Sequence, residues 1–285
     1  MGRVDRPGVP FGALLGLEWA GRRLLGQPLS PRAWGRMSFN DKVTYRRLRV
    51  HDPLLRTFSD KLRMRHYVSE RLGPASVPAL VAVGEDPSAF ARRPGPYVLK
   101  PNHGSGMVAF VGEGEAPSPE QLDDAGRWLA LDYGRRYREW GYGRARRVLL
   151  AEELLRAPDG TFPPADYKLF TFGGRVELVE VVPGPAGAHP WRLMRPDWTP
   201  AVDPSLTGEP DAPDPPRPDN LGTMLRWATD LGGAVEFLRV DLYDVGERVL
   251  VGELTPYPGG GNATFRPPSL DGELGRMWAI PPRRR

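Results

Sequence analysis

The chain has 285 residues, 40% of them hydrophobic and 26% charged, which is the balance of an ordinary soluble globular protein. It has no cysteine, which excludes disulfides, thiolate catalysis and cysteine-based zinc sites. The net charge of +4 is small and dispersed among acidic residues, so nucleic acid is not an expected partner. No apolar run approaches the ~20 residues of a membrane span, and the Phe11–Leu25 region lacks a signal cleavage site, so a cytoplasmic location is expected.

Residues 1–58 are punctuated by Gly and Pro and are predicted to be a helical and irregular N-terminal segment. Amphipathic stretches occur at Leu14–Leu25 and Phe39–Leu48, and Ser38 with Asp41 predicts a capping box at the start of the second. Lys42 is one of only four lysines, and we interpret it as part of a solvated helix face.

A second helix is predicted over Ser59–Gly73, with Ser59 or Asp60 as its cap. Lys61 lies in its first turn, where the helix dipole disfavours a cation unless an anion binds there. A short strand then ends in Lys100 and is followed by a loop with Gly104 and Gly106 and a second strand to Val111. Such a loop can direct backbone N–H groups at phosphate oxygens. A plain glycine hairpin is the alternative.

The middle of the chain predicts a long helix over Pro119–Trp140 and a strand from Val148 that runs into Glu152 and Glu153. A hairpin follows, with Gly173-Gly174 as its turn. The eleven prolines of residues 183–218 favour a long excursion without folded elements. Asn220 is predicted to cap a last helix that ends at Gly232.

Two further strands, 237–243 and 249–255, form a predicted hairpin. Side chains alternate along a strand, so Arg239 shares a face with Asp241, and Glu253 with Thr255. Two carboxylates held on neighbouring strands are costly unless a cation joins them, and Mg²⁺ suits such ligands. The alternative is an edge hairpin whose charged face is simply hydrated.

The order of these motifs resembles the ATP-grasp superfamily and, more narrowly, the TupA-like ATP-grasp proteins named for teichuronopeptide synthesis. The motifs that carry the resemblance are Ser38-Phe-Asn-Asp-Lys42, Ser59-Asp-Lys61, Leu99-Lys-Pro-Asn-His-Gly-Ser-Gly106, Asp166-Tyr-Lys168, Arg239-Val-Asp-Leu-Tyr243 and Gly252-Glu-Leu-Thr-Pro-Tyr-Pro258. The resemblance covers about residues 38–278. It implies an α+β ATP-grasp fold in which two α+β lobes grip ATP between antiparallel sheets, with a reduced N-terminal lobe. The ATP-grasp domain would occupy 59–285, with lobe one at about 59–155 and lobe two at about 156–280.

The same resemblance implies ATP and Mg²⁺ as cofactors and a role for each matching residue. ATP-binding residues would be Lys61, Lys100, Gly104, Ser105 and Gly106 at the phosphates, Glu152, Glu153 and Leu155 around adenine, and Asp166 at the ribose. Asp241 and Glu253 would bind Mg²⁺, Lys168 would contact the transferred phosphoryl or the reacting carboxylate, and Arg239 would stabilise the acyl-phosphate. Substrate contacts are expected from His103, Arg192, Arg195 and Thr255. The two arginines are possible substitutes for an Asp-Arg pair, because the sequence here reads Val182-Pro-Gly-Pro185.

The implied function is an ATP- and Mg²⁺-dependent ligase that joins a small-molecule carboxylate, such as an amino acid or peptide, to an amine through an acyl-phosphate. Cell-surface polymer or specialised-metabolite biosynthesis is the expected setting. The Gly104–Gly106 loop and the segment 183–218 are candidate lids, since an acyl-phosphate must be kept from water. Two alternatives remain at this stage: a kinase acting on a hydroxyl, and a non-catalytic or nucleic-acid-binding protein that keeps the fold.

Overall fold

The computed structural model describes residues 31–184, 192–203 and 213–279, so the stretch Leu14–Leu25 lies outside the described residues. The predicted mixed α and β class with two antiparallel sheets is confirmed. Within the described ranges, no helix is long and apolar enough to cross a membrane.

Eight α-helices and nine strands lie in the described part of the chain. The helices are α1 (Pro31–Arg36), α2 (Phe39–Arg49), α3 (Pro53–Ser59), α4 (Lys61–Leu72), α5 (Pro119–Ala130), α6 (Tyr133–Tyr137), α7 (Leu221–Gly232) and α8 (Ser269–Met277). The strands are β1 (Leu80–Gly84), β2 (Tyr97–Pro101), β3 (Ala109–Val111), β4 (Leu149–Glu152), β5 (Asp166–Phe172), β6 (Arg175–Val182), β7 (Arg192–Met194), β8 (Leu238–Asp244) and β9 (Val249–Thr255).

The first sheet has the strand order β1-β4-β2-β3, and every pairing is antiparallel. Alternation along β2 directs Tyr97 and Leu99 into a core with Leu149, Ala151 and residues of α5. The opposite face carries Val98 and Lys100, which line a cleft. This division leaves one polar face available for a site.

The second sheet has the order β7-β6-β5-β8-β9, also antiparallel throughout. Gly173 and Gly174 both adopt positive φ, at 58° and 83°, as the predicted two-residue turn between β5 and β6 requires. One face of the sheet contributes Leu169 and Val240 to the largest core, together with residues of α4 and α7. The other face carries the charged residues of β5, β8 and β9.

Three local predictions differ from the structure. The helix predicted over Pro119–Trp140 ends at Ala130, because the Asp132 side chain accepts a hydrogen bond from the Arg135 amide (3.0 Å) and begins a separate short helix. Asn220 does not cap α7 with its side chain, since its Nδ2 donates instead to Asp244 Oδ1 at 2.9 Å. The proline-rich excursion contains a strand, β7, that pairs with β6.

Helix α2 packs against the charged-face side of the second sheet through an aromatic cluster. Phe39 lies 4.9 Å from Phe237 and 5.6 Å from Trp278, measured between ring centroids. Two turns further along, Arg46 is fully buried; it donates to the Phe237 carbonyl at 2.7 Å and pairs with Glu236 at 2.8 Å. The predicted capping box of Ser38 and Asp41 is present and fixes the start of this helix.

Lys42 is buried, which corrects its interpretation as a solvated residue. Its side chain is 1% exposed, and its Nζ donates to the carbonyls of Gly275 (2.6 Å) and Trp278 (2.7 Å) at the end of α8. It also lies 4.7 Å from the ring centroid of Trp34. Burial lowers the pKa of Lys42 to about 8. The ammonium therefore joins α2 to the C-terminal helix, where cations are favoured.

The substitution Lys42→Met should lower the free energy of unfolding by about 2–4 kcal/mol, because two buried carbonyls would lose a charged donor. Urea denaturation measures this loss. Arg49→Met, on the exposed side of the same helix, is the matched control and should stay within about 0.5 kcal/mol of the wild type. Equal unfolding midpoints for both variants would contradict a structural role for Lys42.

Candidate active site

A cleft of about 470 Å³ opens between the two sheets. One wall is formed by the glycine-rich loop and by the face of β2 and β4 that carries Val98 and Lys100. The charged face of β5, β8 and β9 forms the other wall. The predicted residues that line it are Lys61, Lys100, Gly104, Ser105, Gly106, Glu152, Glu153, Leu155, Asp166, Lys168, Arg239, Asp241 and Glu253. Residues spread over nearly 200 positions of sequence are thus brought to one place.

Buried polar contacts hold the glycine-rich loop against the start of α4. Asn102 is fully buried; its Oδ1 accepts from the Leu62 amide (2.8 Å) and its Nδ2 donates to the Arg146 carbonyl (2.8 Å). Lys61 donates from Nζ to the carbonyl of Gly104. A β-carbon at Gly104 would lie 2.9 Å from the Tyr133 ring, so only glycine fits there. The loop and the ammonium of Lys61 are therefore positioned together.

Lys100 projects into the cleft from β2 and pairs with Glu152 of β4, with Nζ 2.5 Å from Oε2. The other carboxylate oxygen of Glu152 pairs with Arg65 of α4 at 3.2 Å. Sequence analysis did not identify Arg65, although its position one helical turn after Lys61 could have indicated it. The neighbouring Glu153 pairs with Arg248 instead, with 2.6 Å between Oε1 and Nη2.

Four charged residues on β5 and β8 form a connected group on the opposite wall. Arg239 binds Asp241 through two hydrogen bonds, Nε to Oδ1 at 2.7 Å and Nη2 to Oδ2 at 2.6 Å. Lys168 lies on the adjacent strand, directly opposite Asp241, with 3.7 Å between Nζ and Oδ2. It also contacts Asp166, two residues earlier on its own strand. Bidentate pairing of this kind fixes geometry as well as charge.

The electrostatics of this group follow from burial and mutual attraction. Burial opposes ionisation of Asp241, but the charges of Arg239 and Lys168 outweigh it and lower its pKa. Burial likewise opposes the charge on Lys168, while Asp241 and Asp166 raise its pKa. For Asp166, burial and the nearby Asp241 raise the pKa to about 6, against the opposing effect of Lys168. Both cations and both carboxylates are thus mainly charged at neutral pH.

Glu253 lies directly opposite Asp241 in the pairing of β8 with β9. Within the described residues it makes no hydrogen bond or ion pair, so its carboxylate is available to a ligand. No group of three or more metal-ligating residues occurs in the described part of the chain. Mg²⁺ commonly takes only one or two carboxylates and completes its shell with water and phosphate oxygens. The pair Asp241–Glu253 therefore fits Mg²⁺ bound together with a phosphate group.

Part of the cleft lining is apolar, and most of it was not predicted from the sequence. It includes Val98, Val108, Phe110 and Phe162. Phe110 is 45% exposed and meets Phe162 edge to face at 5.0 Å. Alternation along β3 could have indicated Phe110, because buried Ala109 and Val111 flank it and force it toward the cleft.

The candidate substrate residues lie outside the cleft lining. His103 is buried beside α5, with Nε2 at 3.1 Å from the carbonyls of Trp128 and Leu131. Arg192 is buried on β7 with Nε 3.9 Å from Asp214, and Arg195 is exposed in the following turn. Thr255 is the nearest, since its Oγ1 accepts from Arg239 Nη2 at 3.3 Å.

The sequence profile of TupA-like ATP-grasp proteins matches residues 41–279, which is most of the chain. The chain belongs to the TupA-like ATP-grasp family. This match confirms the predicted family and the predicted class of ATP-grasp enzyme. Among curated proteins, no sequence matches this TupA-like protein significantly.

Several solved ATP-grasp ligases are similar at low identity. They include the ligase PsnB complexed with a minimal precursor (12% identity, TM-score 0.42, covering 79% of this chain and 61% of that one). D-alanine–D-alanine ligase from Bacillus anthracis has 14% identity and a TM-score of 0.42, over 78% of this chain and 66% of that one. The macrocyclase MdnC from Microcystis aeruginosa MRC, bound with the precursor peptide MdnA, has 12% identity and a TM-score of 0.40, over 83% and 67%. The TupA-like chain spans less than two thirds of the PsnB ligase, and these distant likenesses indicate no substrate.

A buried carboxylate that the sequence analysis did not single out lies behind the metal-ligand pair. Glu139 is 7% exposed, and a β-carbon at Gly260 would lie 3.4 Å from its Oε1 and 3.2 Å from Arg47 Nη1. Burial raises the pKa of Glu139 to about 7; Arg47 lowers it and Glu253 raises it further. This residue is an acid whose ionisation the fold opposes.

Glu139→Gln should stabilise the protein above pH 7, by on the order of 2 kcal/mol, and change little near pH 4.5. The folded protein holds the Glu139 proton up to a higher pH than the unfolded chain does. The stability of the wild type therefore falls as the pH rises from 4.5 to about 7. Urea unfolding in chelator at about pH 5 and about pH 8 measures the effect.

The exposed Glu113 supplies the matched control, since Glu113→Gln should track the wild type at both pH values. A Glu139→Gln variant less stable than the wild type at the higher pH would contradict the assignment.

Proposed function

We propose that the protein is an ATP- and Mg²⁺-dependent carboxylate–amine ligase that forms an amide through an acyl-phosphate. The observation that carries this proposal is the pairing of two walls: a glycine-rich loop flanked by Lys61 and Lys100 faces three strands, β5, β8 and β9, that hold two cations and two carboxylates. Phosphoryl transfer to a carboxylate needs charge neutralisation and alignment rather than a protein nucleophile. The cleft supplies both.

In this proposal the ATP lies along the cleft with its phosphates at the glycine-rich loop. Lys61 and Lys100 neutralise phosphate oxygens, and the loop amides at Ser105 and Gly106 donate to them. The apolar part of the lining, with Phe110 and Phe162, receives the adenine ring, because aromatic edges and faces pack well against a base. Asp166 is placed to accept hydrogen bonds from the ribose hydroxyls.

Asp241 and Glu253 would hold Mg²⁺ at the phosphate end of the cleft. The ion, when bound, neutralises charge that develops on the phosphate oxygens. Arg239 fixes the Asp241 carboxylate through two hydrogen bonds, so the ligand position is set before the ion arrives. Glu253 completes the pair from β9.

Lys168 and Arg239 are placed to receive the substrate carboxylate. Their charges attract it and hold it in line with the terminal phosphate, whose transfer gives the acyl-phosphate and ADP. An amine then attacks the acyl carbon and displaces phosphate. Supply of ATP supports a cytoplasmic location, and the family's connection with teichuronopeptide synthesis supports a role in cell-surface polymer or specialised-metabolite biosynthesis.

The nucleotide site predicts a Mg²⁺-dependent rise in melting temperature with a non-hydrolysable ATP analogue. At a hundredfold its dissociation constant the ligand should add ~2.7 kcal/mol, which raises the melting temperature by a few degrees for a chain of this size. Thermal unfolding with and without the analogue, in Mg²⁺ and in chelator, measures it. No rise at millimolar analogue would overturn the nucleotide assignment.

Glu253→Gln should abolish ATP turnover and leave the fold intact, since Glu253 makes no hydrogen bond within the described residues. Asp241→Asn should also abolish turnover, with some loss of stability because Arg239 loses its charged partner. Glu247→Gln, in the exposed turn between the same two strands, should keep the wild-type rate.

Release of ADP and the fate of phosphate are the measurements for these variants. A ligase releases free phosphate only when acid and amine are both present, whereas a kinase leaves phosphate on its acceptor. Wild-type turnover in Glu253→Gln would remove the metal assignment.

A further inference from the structure

Four charged residues form a row across the second sheet, at one level on four neighbouring strands. The register aligns Glu180 of β6 with Lys168 of β5, Lys168 with Asp241 of β8, and Asp241 with Glu253 of β9. Residues directly opposite one another project from the same face, with side chains about 5 Å apart. The first member of this row, Glu180, has no role in the site described above.

Glu180 makes no hydrogen bond or ion pair with any residue that the structure describes, although it is half-buried. The charged groups that face it are Lys168 from β5 and Arg239 and Asp241 from β8; its neighbour on β7 is the apolar Leu193. Burial raises the pKa of Glu180, while Arg239 and Lys168 oppose this effect. Glu180 is thus attracted by Arg239 and Lys168 at longer range but receives no hydrogen bond from the described residues, which leaves its carboxylate oxygens free to bind a cationic ligand.

A purely structural role as counter-ion does not account for Glu180. Arg239 already directs Nε and Nη2 at Asp241, and Lys168 already contacts Asp166. Both cations therefore have closer carboxylate partners than Glu180. An ammonium is the group that such a carboxylate would bind best, with the substrate carboxyl held by Lys168 next to it.

We propose that Glu180 binds the ammonium group of the amine substrate and accepts its proton as the amine attacks. The assignment rests on the proposed ligase function and names a residue for its second half-reaction. Lys168 stands between Glu180 and the metal-ligand pair, so the amine reaches the acyl carbon from the side opposite the nucleotide.

The step balances with the groups present. The substrate ammonium gives one proton to the Glu180 carboxylate, and the freed nitrogen lone pair forms the C–N bond to the acyl carbon. The C–O bond of the acyl-phosphate breaks, and its electron pair leaves with phosphate. The second N–H proton of the tetrahedral nitrogen leaves with the phosphate or to water, and the products are amide, phosphate and protonated Glu180, which then loses its proton to solvent.

The test distinguishes acyl-phosphate formation from amide formation by changing the nucleophile. Hydroxylamine is largely uncharged at neutral pH and needs no base, so it traps the acyl-phosphate as a hydroxamate without Glu180. Wild-type protein is given ATP, Mg²⁺, hydroxylamine and each standard amino acid in turn, which identifies the acid. That acid is then paired with each amino acid as the amine, and the product is detected by mass.

Glu180→Gln should keep hydroxamate formation within about threefold of the wild type and lower amide formation about 100-fold or more at neutral pH, the usual scale of general-base catalysis. Its amide rate should recover as pH rises and the free amine accumulates in solution. Glu177→Gln is the matched control, because Glu177 lies on the same strand and pairs with Arg175. It should keep both rates.

Equal loss of hydroxamate and amide in Glu180→Gln, or no loss of either, would overturn the role of Glu180 while leaving the ligase function standing. An absence of hydroxamate with every amino acid in the wild-type protein would instead remove the ligase function and this role with it.

Discussion

The site depends on one constraint: the carboxylate of Asp241 is buried and must remain charged. Burial alone would neutralise it, and the bidentate contact with Arg239 reverses that effect. Lys168 on the next strand adds a second cation at 3.7 Å. Removing one partner of a buried ion pair costs about 3–5 kcal/mol, so the residues of this group must be present together. The balanced charges keep the proposed metal-ligand position, and the proposed position for a substrate carboxylate, on paired strands.

The two walls of the cleft are built on different principles. The second sheet presents charge from long paired strands, and β5 and β8 have a neighbouring strand on both sides. The first sheet presents its glycine-rich loop between β2 and β3, and β3 is an edge strand of three residues paired on one side only. A loop at such an edge can change shape without breaking the sheet. In the proposed function, the positioning of reactive groups and any closure over a nucleotide would therefore fall to separate sheets.

The sequence predicted the hairpins and the cleft residues well, because strand alternation and glycine turns are local signals. Arg239, Asp241 and Glu253 were placed correctly by counting along two strands. Local signals did not predict burial or side-chain direction where residues far away in the sequence supply the contacts. Lys42 is buried by carbonyls more than 230 residues away, and His103 turns from the cleft because α5 supplies carbonyls behind it. Glu180 was missed for a related reason: its significance comes from register with Lys168, which requires the pairing of β5 with β6.

The contacts of Arg46 make α2 part of the structural unit that carries the site. This arginine lies in α2, ahead of Lys61, yet it contacts the backbone at both ends of the β8–β9 hairpin: the Phe237 carbonyl at 2.7 Å and the Pro256 carbonyl at 3.4 Å. Its guanidinium also lies 4.3 Å from the Trp278 ring. A shortened chain that begins at α4 would leave Glu236 unpaired and those carbonyls without their donor. The minimal unit suited to expression or domain grafting therefore includes α2, and sequence outside the nucleotide motifs sets how small this enzyme can be made.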